Sequence, residues 1–240
     1  MLGVGVNAMR FDDALQTLLD APRQQRRLRV HFAAVHTFVE ASKDPELRET
    51  LSEADIVAPD GMPVVWLGRL KGKHAERVCG PDTMLALLDR SRENGARHFF
   101  YGGTPELLDE LVTALRQRFP GLQVAGTYAP PFRPLEWSEI DDTAQMINDV
   151  APDYVWVGLG SPKQDHWLAS FRPLLRAPVL LAVGAAFDFH AGRQKRAPRW
   201  AQRSGLEWIF RLLAEPRRLA WRYSAMSLRF LQLLVADGMK

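Results

Sequence analysis

The chain has 240 residues, 47% of them hydrophobic and 25% charged, with a formal net charge of +3. That is enough apolar material for a full core and too much for a disordered chain, and it reads as one folding unit. A single cysteine, Cys79, excludes an intramolecular disulfide and suits a reducing compartment.

The stretch Met1 to Met9 is apolar, lacks a basic leader and runs straight into Arg10, Asp12 and Asp13. It is therefore expected to be a first strand and not a signal peptide. Phe11, Leu15, Leu18 and Leu19 then follow helical spacing. Apolar, β-branched runs recur at 28–32, 56–58, 98–101, 122–126, 154–159 and 179–183, each predicting a strand. Helical patterns lie between them; one opens at Thr104-Pro105, carries Leu107, Leu108, Leu111 and Leu115 on one face, and stops at Gly121. Strands alternating with helices predict an α/β fold, a Rossmann-like, mostly parallel sheet with helices on both faces. The loop 129–133, with Pro130 next to Pro131, is the clearest irregular stretch and a candidate pocket border. The longest apolar run, Pro178 to Phe187, falls well short of the roughly 20 residues of a spanning helix.

From Pro198 the strands cease. Two amphipathic helices are expected, divided near Glu215-Pro216, with Leu206, Ile209, Phe210 and Leu213 on one stripe and Leu219, Tyr223, Met226 and Phe230 on the other. The organisation is thus an α/β body over 1–197 and a helical appendage over 198–240. Nine arginines and Lys195 crowd residues 193–229 against Glu207 and Glu215, so a basic tail follows an acidic body. Such a tail calls for an anionic partner: phospholipid, pyrophosphate or nucleic acid.

An open α/β sheet binds ligands outside the carboxyl ends of its strands, and several predicted strand ends carry polar or glycine signals. Ala58-Pro59-Asp60-Gly61 puts a carboxylate between strand and helix, where it serves either as a helix cap or as a general base; spacing leaves both open. Tyr101-Gly102-Gly103-Thr104 and Gly158-Leu159-Gly160-Ser161-Pro162-Lys163-Gln164 are strand-to-helix turns whose missing side chains admit a phosphate or base, or simply make a tight connection. Neither is a dinucleotide fingerprint, since Lys163 occupies the place of its last glycine, and the oxidoreductase reading loses its support.

Taken together, Asp44-Pro45-Glu46-Leu47-Arg48, Pro59-Asp60-Gly61 before Val64-Val65-Trp66, Arg77-Val78 with Gly80-Pro81-Asp82, Gly102-Gly103, Gly158 to Gln164, Phe187-Asp188, Lys195 to Pro198 and Gly205 to Trp208 resemble, in this order, the WecG/TagA/CpsF family of glycosyltransferases. The resemblance covers essentially the whole chain. It implies an inverting, metal-independent hexosyltransferase that takes a sugar, N-acetylmannosamine or a relative, from a UDP-sugar donor to a polyprenyl-pyrophosphate-linked saccharide in cell-surface polysaccharide synthesis. It also implies a cytoplasmic enzyme, peripheral on the inner face of the membrane, whose C-terminal helices meet an anionic surface. Asp60 is then the catalytic base, Arg77, also read as catalytic, and Gln164 match pocket residues near the sugar and diphosphate, Gly102, Gly103 and Gly160 are substrate-binding, and Asp188 lies on the nucleotide side. Arg211 and Arg218 match the appendage arginines that meet the leaving diphosphate, and Arg222 lies one residue from a third such position, occupied here by Trp221. No cofactor is expected, and the sequence holds no Asp-x-Asp for a metal. An oligomer is compatible with these residues.

One departure stands out. Many family members carry Thr-x-Asn at the end of the second expected strand, where this chain has Phe32 and Ala34; His36 is the candidate replacement donor to the sugar. The change keeps two alternatives in play: a glucosyl- or uronosyltransferase of the same family, and a catalytically impaired peripheral membrane protein. Nucleic acid is not expected, because the basic charge comes with no nucleic-acid motif.

Overall fold

The computed structural model describes residues 3–204 together with 206, 207, 210, 229, 230, 232 and 233. In chain order, α1 (Phe11–Asp20) precedes β1 (Leu28–Ala33), and α2 (Val35–Ala41) and α3 (Pro45–Ser52) lead to β2 (Ile56–Pro59). Next come α4 (Met62–Leu70), α5 (Gly80–Ser91), β3 (Arg97–Tyr101), α6 (Pro105–Arg118) and β4 (Gln123–Tyr128). The body closes with α7 (Trp137–Asp149), β5 (Tyr154–Val157), α8 (Lys163–Phe171), β6 (Val179–Ala182) and α9 (Ala186–His190), and α10 (Arg199–Arg203) follows it.

Local chemistry explains where helices start. Asp44 accepts from the Leu47 N–H at 3.0 Å and Pro45 opens α3; Thr104 accepts from the Leu107 N–H at 3.3 Å and Pro105 opens α6. Both are capped ends of the kind the sequence signals.

The strands form one all-parallel sheet in the order β2-β1-β6-β5-β3-β4. Side chains alternate between its faces, and both faces are covered, as a parallel sheet requires. Leu28, Val30, Phe32, Phe100, Tyr154 and Trp156 meet α1, α5 and α6 on one face. On the other, Phe99, Tyr101, Val155, Val157 and Leu180 meet α7 and α8, while Ala33 and Val57 meet α2, α3 and α4. The α/β expectation is met, with strand limits within two residues of those read from sequence.

Two histidines sit inside this sandwich. His98 is fully buried; Trp156 Nε1–H donates to its Nδ1 at 3.1 Å, so its Nε2–H faces Ser91 Oγ at 3.0 Å. Burial drives its pKa down to about 3, and it is neutral. His31, on the opposite face, lies 2.7 Å from Asp165, which also accepts from Ser161 Oγ at 2.7 Å.

Among the described residues of the N-terminal stretch, 3–9, none lies in a strand. Asn7 meets β2, donating its N–H to the Val57 carbonyl at 3.0 Å and accepting from the Val57 N–H with its side chain at 2.7 Å. One residue does with backbone and side chain what a ladder would do with several, and Met9 O turns away to the Glu76 N–H at 3.0 Å. Of the appendage, α10 and a few later residues are described; Phe230 joins the cluster of Phe38 and Val64, its ring 6.4 Å from that of Phe38. Most of the two helices expected after Pro198, with Arg211, Arg218 and Arg222, lies outside the described residues.

Candidate active site at the carboxyl edge of the sheet

Asp60 is the first residue past β2. Its N–H donates to the Ala33 carbonyl at 3.1 Å, fixing it beside the end of β1. The N-cap of α4 is Gly61, with no side-chain cap bond, so the Asp60 carboxylate is not spent as a helix cap. The segment after α4 returns along the same strand end, Val78 N–H donating to the Pro59 carbonyl at 2.9 Å. This return carries Arg77 to Asp60. Arg77 Nε donates to the Asp60 carbonyl at 2.6 Å, and its Nη2 stands 3.4 Å from Asp60 Oδ1 and 2.6 Å from Glu207 Oε2. The guanidinium is 17% exposed and lies between two carboxylates. Burial opposes its charge, but its acidic surroundings outweigh burial and hold its pKa above the ordinary value.

A second guanidinium lies close by. Arg196 grips Asp82, at the start of α5, through both carboxylate oxygens, with Nη2 3.1 Å from Oδ2, and donates to Cys79 Sγ at 3.3 Å. The Cys79 thiol donates to Asp82 at 3.0 Å, and burial pushes its pKa up, so it is a neutral structural thiol. Against the burial that would raise it, Asp82 is held below the usual carboxylate range by Arg196 and Cys79. This clip ties the segment before α10 to the start of α5, and Arg77 is close enough to Arg196 for their charges to interact. Sequence reading did not single out Glu207, Asp82 or Arg196 as site residues. They lie 130 and 114 positions from their partners, and only their place in the family motifs marked them.

The remaining strand ends line the same edge. Gln164, buried in α8, accepts from the Gly160 N–H at 3.1 Å and the Gly184 N–H at 2.8 Å, and donates to the Ala182 carbonyl at 3.2 Å. It clamps the turn after β5 to the turn after β6. The glycines divide by cause. A Cβ on Gly102 would lie 2.7 Å from the Gly158 carbonyl oxygen, so Gly102 is needed for close packing of the β3 and β5 ends. Gly160 has φ +76° and open space around its Cα, leaving that turn free to approach a ligand. At Gly103, φ +75° and the Leu107 side chain both exclude a Cβ.

Asp188 lies half-buried on α9 at the end of β6, its carbonyl accepting from the Gln194 N–H at 3.2 Å. His36 is half-buried in the first turn of α2, at the end of β1. Phe32 is in the core, and Ala34 stands beside Gly61, whose added Cβ would be 3.6 Å from the Ala34 methyl. Every described residue singled out from sequence therefore sits at the carboxyl edge, on β1, β2, β3, β5 and β6. Among the described residues no group of three His, Cys, Asp or Glu gathers as a metal site. Nor, among them, is any helix long and apolar enough to cross a membrane.

A parallel α/β sheet whose strand ends bring together a carboxylate, two nearby guanidiniums and an open glycine turn has the architecture of an α/β protein with a polar site at its carboxyl edge. The particular family is decided by comparison with known proteins. The model of the glycosyl transferase WecG/TagA/CpsF family matches residues 1–240, and the chain belongs to that family; it is a glycosyltransferase. It is similar to the N-acetylglucosaminyldiphosphoundecaprenol N-acetyl-beta-D-mannosaminyltransferase of Bacillus spizizenii, with 35% identity over 187 residues covering 76% of this chain and 69% of that protein. The Bacillus subtilis protein of the same name is 30% identical over 190 residues, covering 78% of this chain and 70% of its own length.

Proposed function

We propose that this glycosyltransferase moves N-acetylmannosamine, or a closely related hexosyl group, from a UDP-sugar to a saccharide carried on polyprenyl diphosphate. The names of the two Bacillus relatives support the sugar and the lipid-linked acceptor. The observation that carries the chemistry is Asp60: a carboxylate at a strand end, uncommitted to helix capping, with Arg77 bonded to its own carbonyl. Asp60 takes the proton of the acceptor hydroxyl as that oxygen attacks the anomeric carbon. The bond from that carbon to the diphosphate breaks on the opposite side, its electron pair leaves with UDP, and the configuration inverts. Arg77 fixes Asp60 in place, and the appendage arginines Arg211 and Arg218, with Arg222, are the proposed source of positive charge for the leaving diphosphate, the role a metal takes elsewhere. In this reading the enzyme works from the cytoplasmic side, on the inner face of the membrane, and needs no metal or cofactor.

Phe32 and Ala34 favour keeping a second donor in view. Neither side chain can hydrogen-bond a sugar, so the site asks less of the donor at this point, and a glucosyl or uronosyl group fits the same mechanism.

The test is transfer in chelator. The full chain is incubated with polyprenyl-diphosphate-linked N-acetylglucosamine and, in turn, UDP-N-acetylmannosamine, UDP-N-acetylglucosamine, UDP-glucose and UDP-glucuronate. Transfer from one donor, with the product's anomeric configuration inverted by NMR, is expected. Retention of configuration, or activity only on adding a divalent metal, would overturn the mechanism.

A further inference from the structure

The helix that begins beside Asp60 presents an apolar stripe to solvent. Val64 and Val65 are buried on the inner side of α4, while Trp66 and Leu70, one turn apart, are 45% and 82% exposed. Positive charge surrounds this stripe: Arg69, Lys71 and Lys73 are all exposed, as is the neighbouring His74. Beside it opens a cleft of about 750 Å³ lined by Arg10, Arg69, Lys73 and the His74 imidazole, with Asp13 and Glu76. Of the two acids, Glu76 is engaged by Arg10 at 3.7 Å and by the Phe11 N–H at 3.0 Å. A Trp and a Leu ringed by cations is the composition of a surface that sinks shallowly into an anionic bilayer, with apolar groups in the head-group boundary and Lys and Arg on the phosphates.

Two comparisons select the bilayer over other occupants. A second copy of the chain in a two-fold interface would set this cationic rim against itself. The other exposed aromatic pair, Phe132 and Trp137 beyond β4, has no such rim, because Arg133 is bonded to Glu139 at 2.6 and 2.7 Å and Glu136 is adjacent. Position agrees as well. Nine helical residues span about 13 Å, so Leu70 stands roughly that far from the Asp60 end of α4, and the inner side of α4 shares its cluster with Phe230 and Leu233 of the C-terminal segment.

We propose that Trp66 and Leu70, with Arg69, Lys71, Lys73 and His74, form a membrane-docking surface on the body of the enzyme, distinct from the C-terminal helices. It holds the Asp60 end of α4 one short helix away from the bilayer that carries the acceptor. This rests on the lipid-linked acceptor proposed above.

The experiment is co-sedimentation of the full chain with vesicles of phosphatidylglycerol and phosphatidylcholine, and of phosphatidylcholine alone. Wild type is expected to bind the anionic vesicles; Trp66→Ser/Leu70→Ser and, separately, Lys71→Glu/Lys73→Glu should each bind at least tenfold more weakly. Leu70→Ser alone, at the most exposed position of α4, guards against a folding defect in the double variant. Trp137→Ser should bind as wild type. Wild-type binding by both double variants, or an equal loss in Trp137→Ser, would overturn the proposal. Transfer to a short-chain, water-soluble acceptor is measured alongside: if wild type lacks it the transferase reading fails, whereas weakened vesicle binding with that transfer intact separates docking from chemistry.

Discussion

Two side chains organise the carboxyl edge of the sheet, and they do so by opposite means. Gln164 joins the β5 and β6 turns through three bonds, all to backbone and none involving a charge. Arg77 joins the β2 end to Glu207 through a half-buried ionic contact of a guanidinium that also donates to the Asp60 carbonyl. A neutral clamp holds the same geometry whatever the ligand or pH, whereas an ionic bracket responds to charge brought near it. The edge thus combines a fixed half under β5 and β6 with a responsive half at β2, where the proposed proton transfer occurs.

The largest effect should come from the responsive half. Asp60→Asn keeps the size of the side chain and removes the base, so turnover should fall by about 10² to 10⁴ while thermal stability and UDP binding stay near wild type. Turnover within threefold of wild type would remove Asp60 from the mechanism. The fixed half should fail in stability instead. Gln164→Ala strands two N–H groups and a carbonyl, and urea unfolding should report a loss of about 2–4 kcal/mol. A full loss of activity with unchanged stability would mean that Gln164 acts on substrate and not on the turns.

Arg77→Lys retains the charge but not the fork that reaches the Asp60 carbonyl and Glu207 together. Losing a hydrogen bond to a charged group, about 1.5–3 kcal/mol, predicts kcat reduced roughly tenfold to a hundredfold with little change in KM for the donor. Acidification gives the smallest effect and lies outside both halves. His98 has a folded pKa of about 3, below the roughly 6.5 of an unfolded histidine, so its contribution is complete above pH 6.5 and is lost as the pH falls. Between pH 7 and pH 5 the unfolding free energy should drop by about 2 kcal/mol from this group, and His98→Gln should show a correspondingly shallower drop. An equal slope in the variant would assign the acid sensitivity elsewhere.

Much of the fold was legible because its signals are local. Buried parallel strands read as short apolar runs, and Thr104-Pro105 declares a helix start within a few residues. The N-terminal stretch misled because an apolar run says nothing of its partners: Asn7 meets Val57 of β2 with both backbone and side chain, and only the fold reveals it. At the site, the strand-end positions of Asp60 and Gln164 were readable, but what their side chains touch was not. Spacing could not choose between cap and base for Asp60; that Gly61 is the N-cap of α4 is visible only in the fold. The pairings of Arg77 with Glu207 and of Arg196 with Asp82 join distant parts of the chain, and periodicity carries no information at that range.

The strand order also bears on how the chain is made. β1 lies between β2 and β6, yet β6 ends at Ala182, near the close of the body, so the N-terminal strands leave the ribosome with one side of β1 unpaired. Nearly 150 residues must follow before Val30 meets Leu181. A nascent chain stalled before Val179 would hold β1 and β2 as a two-stranded fragment, too small to be stable alone and open to chaperones or to sticking to its neighbours. The central placement of β6 makes the arrival of that strand, and not the growth of the first half of the chain, the event that commits this enzyme to its fold.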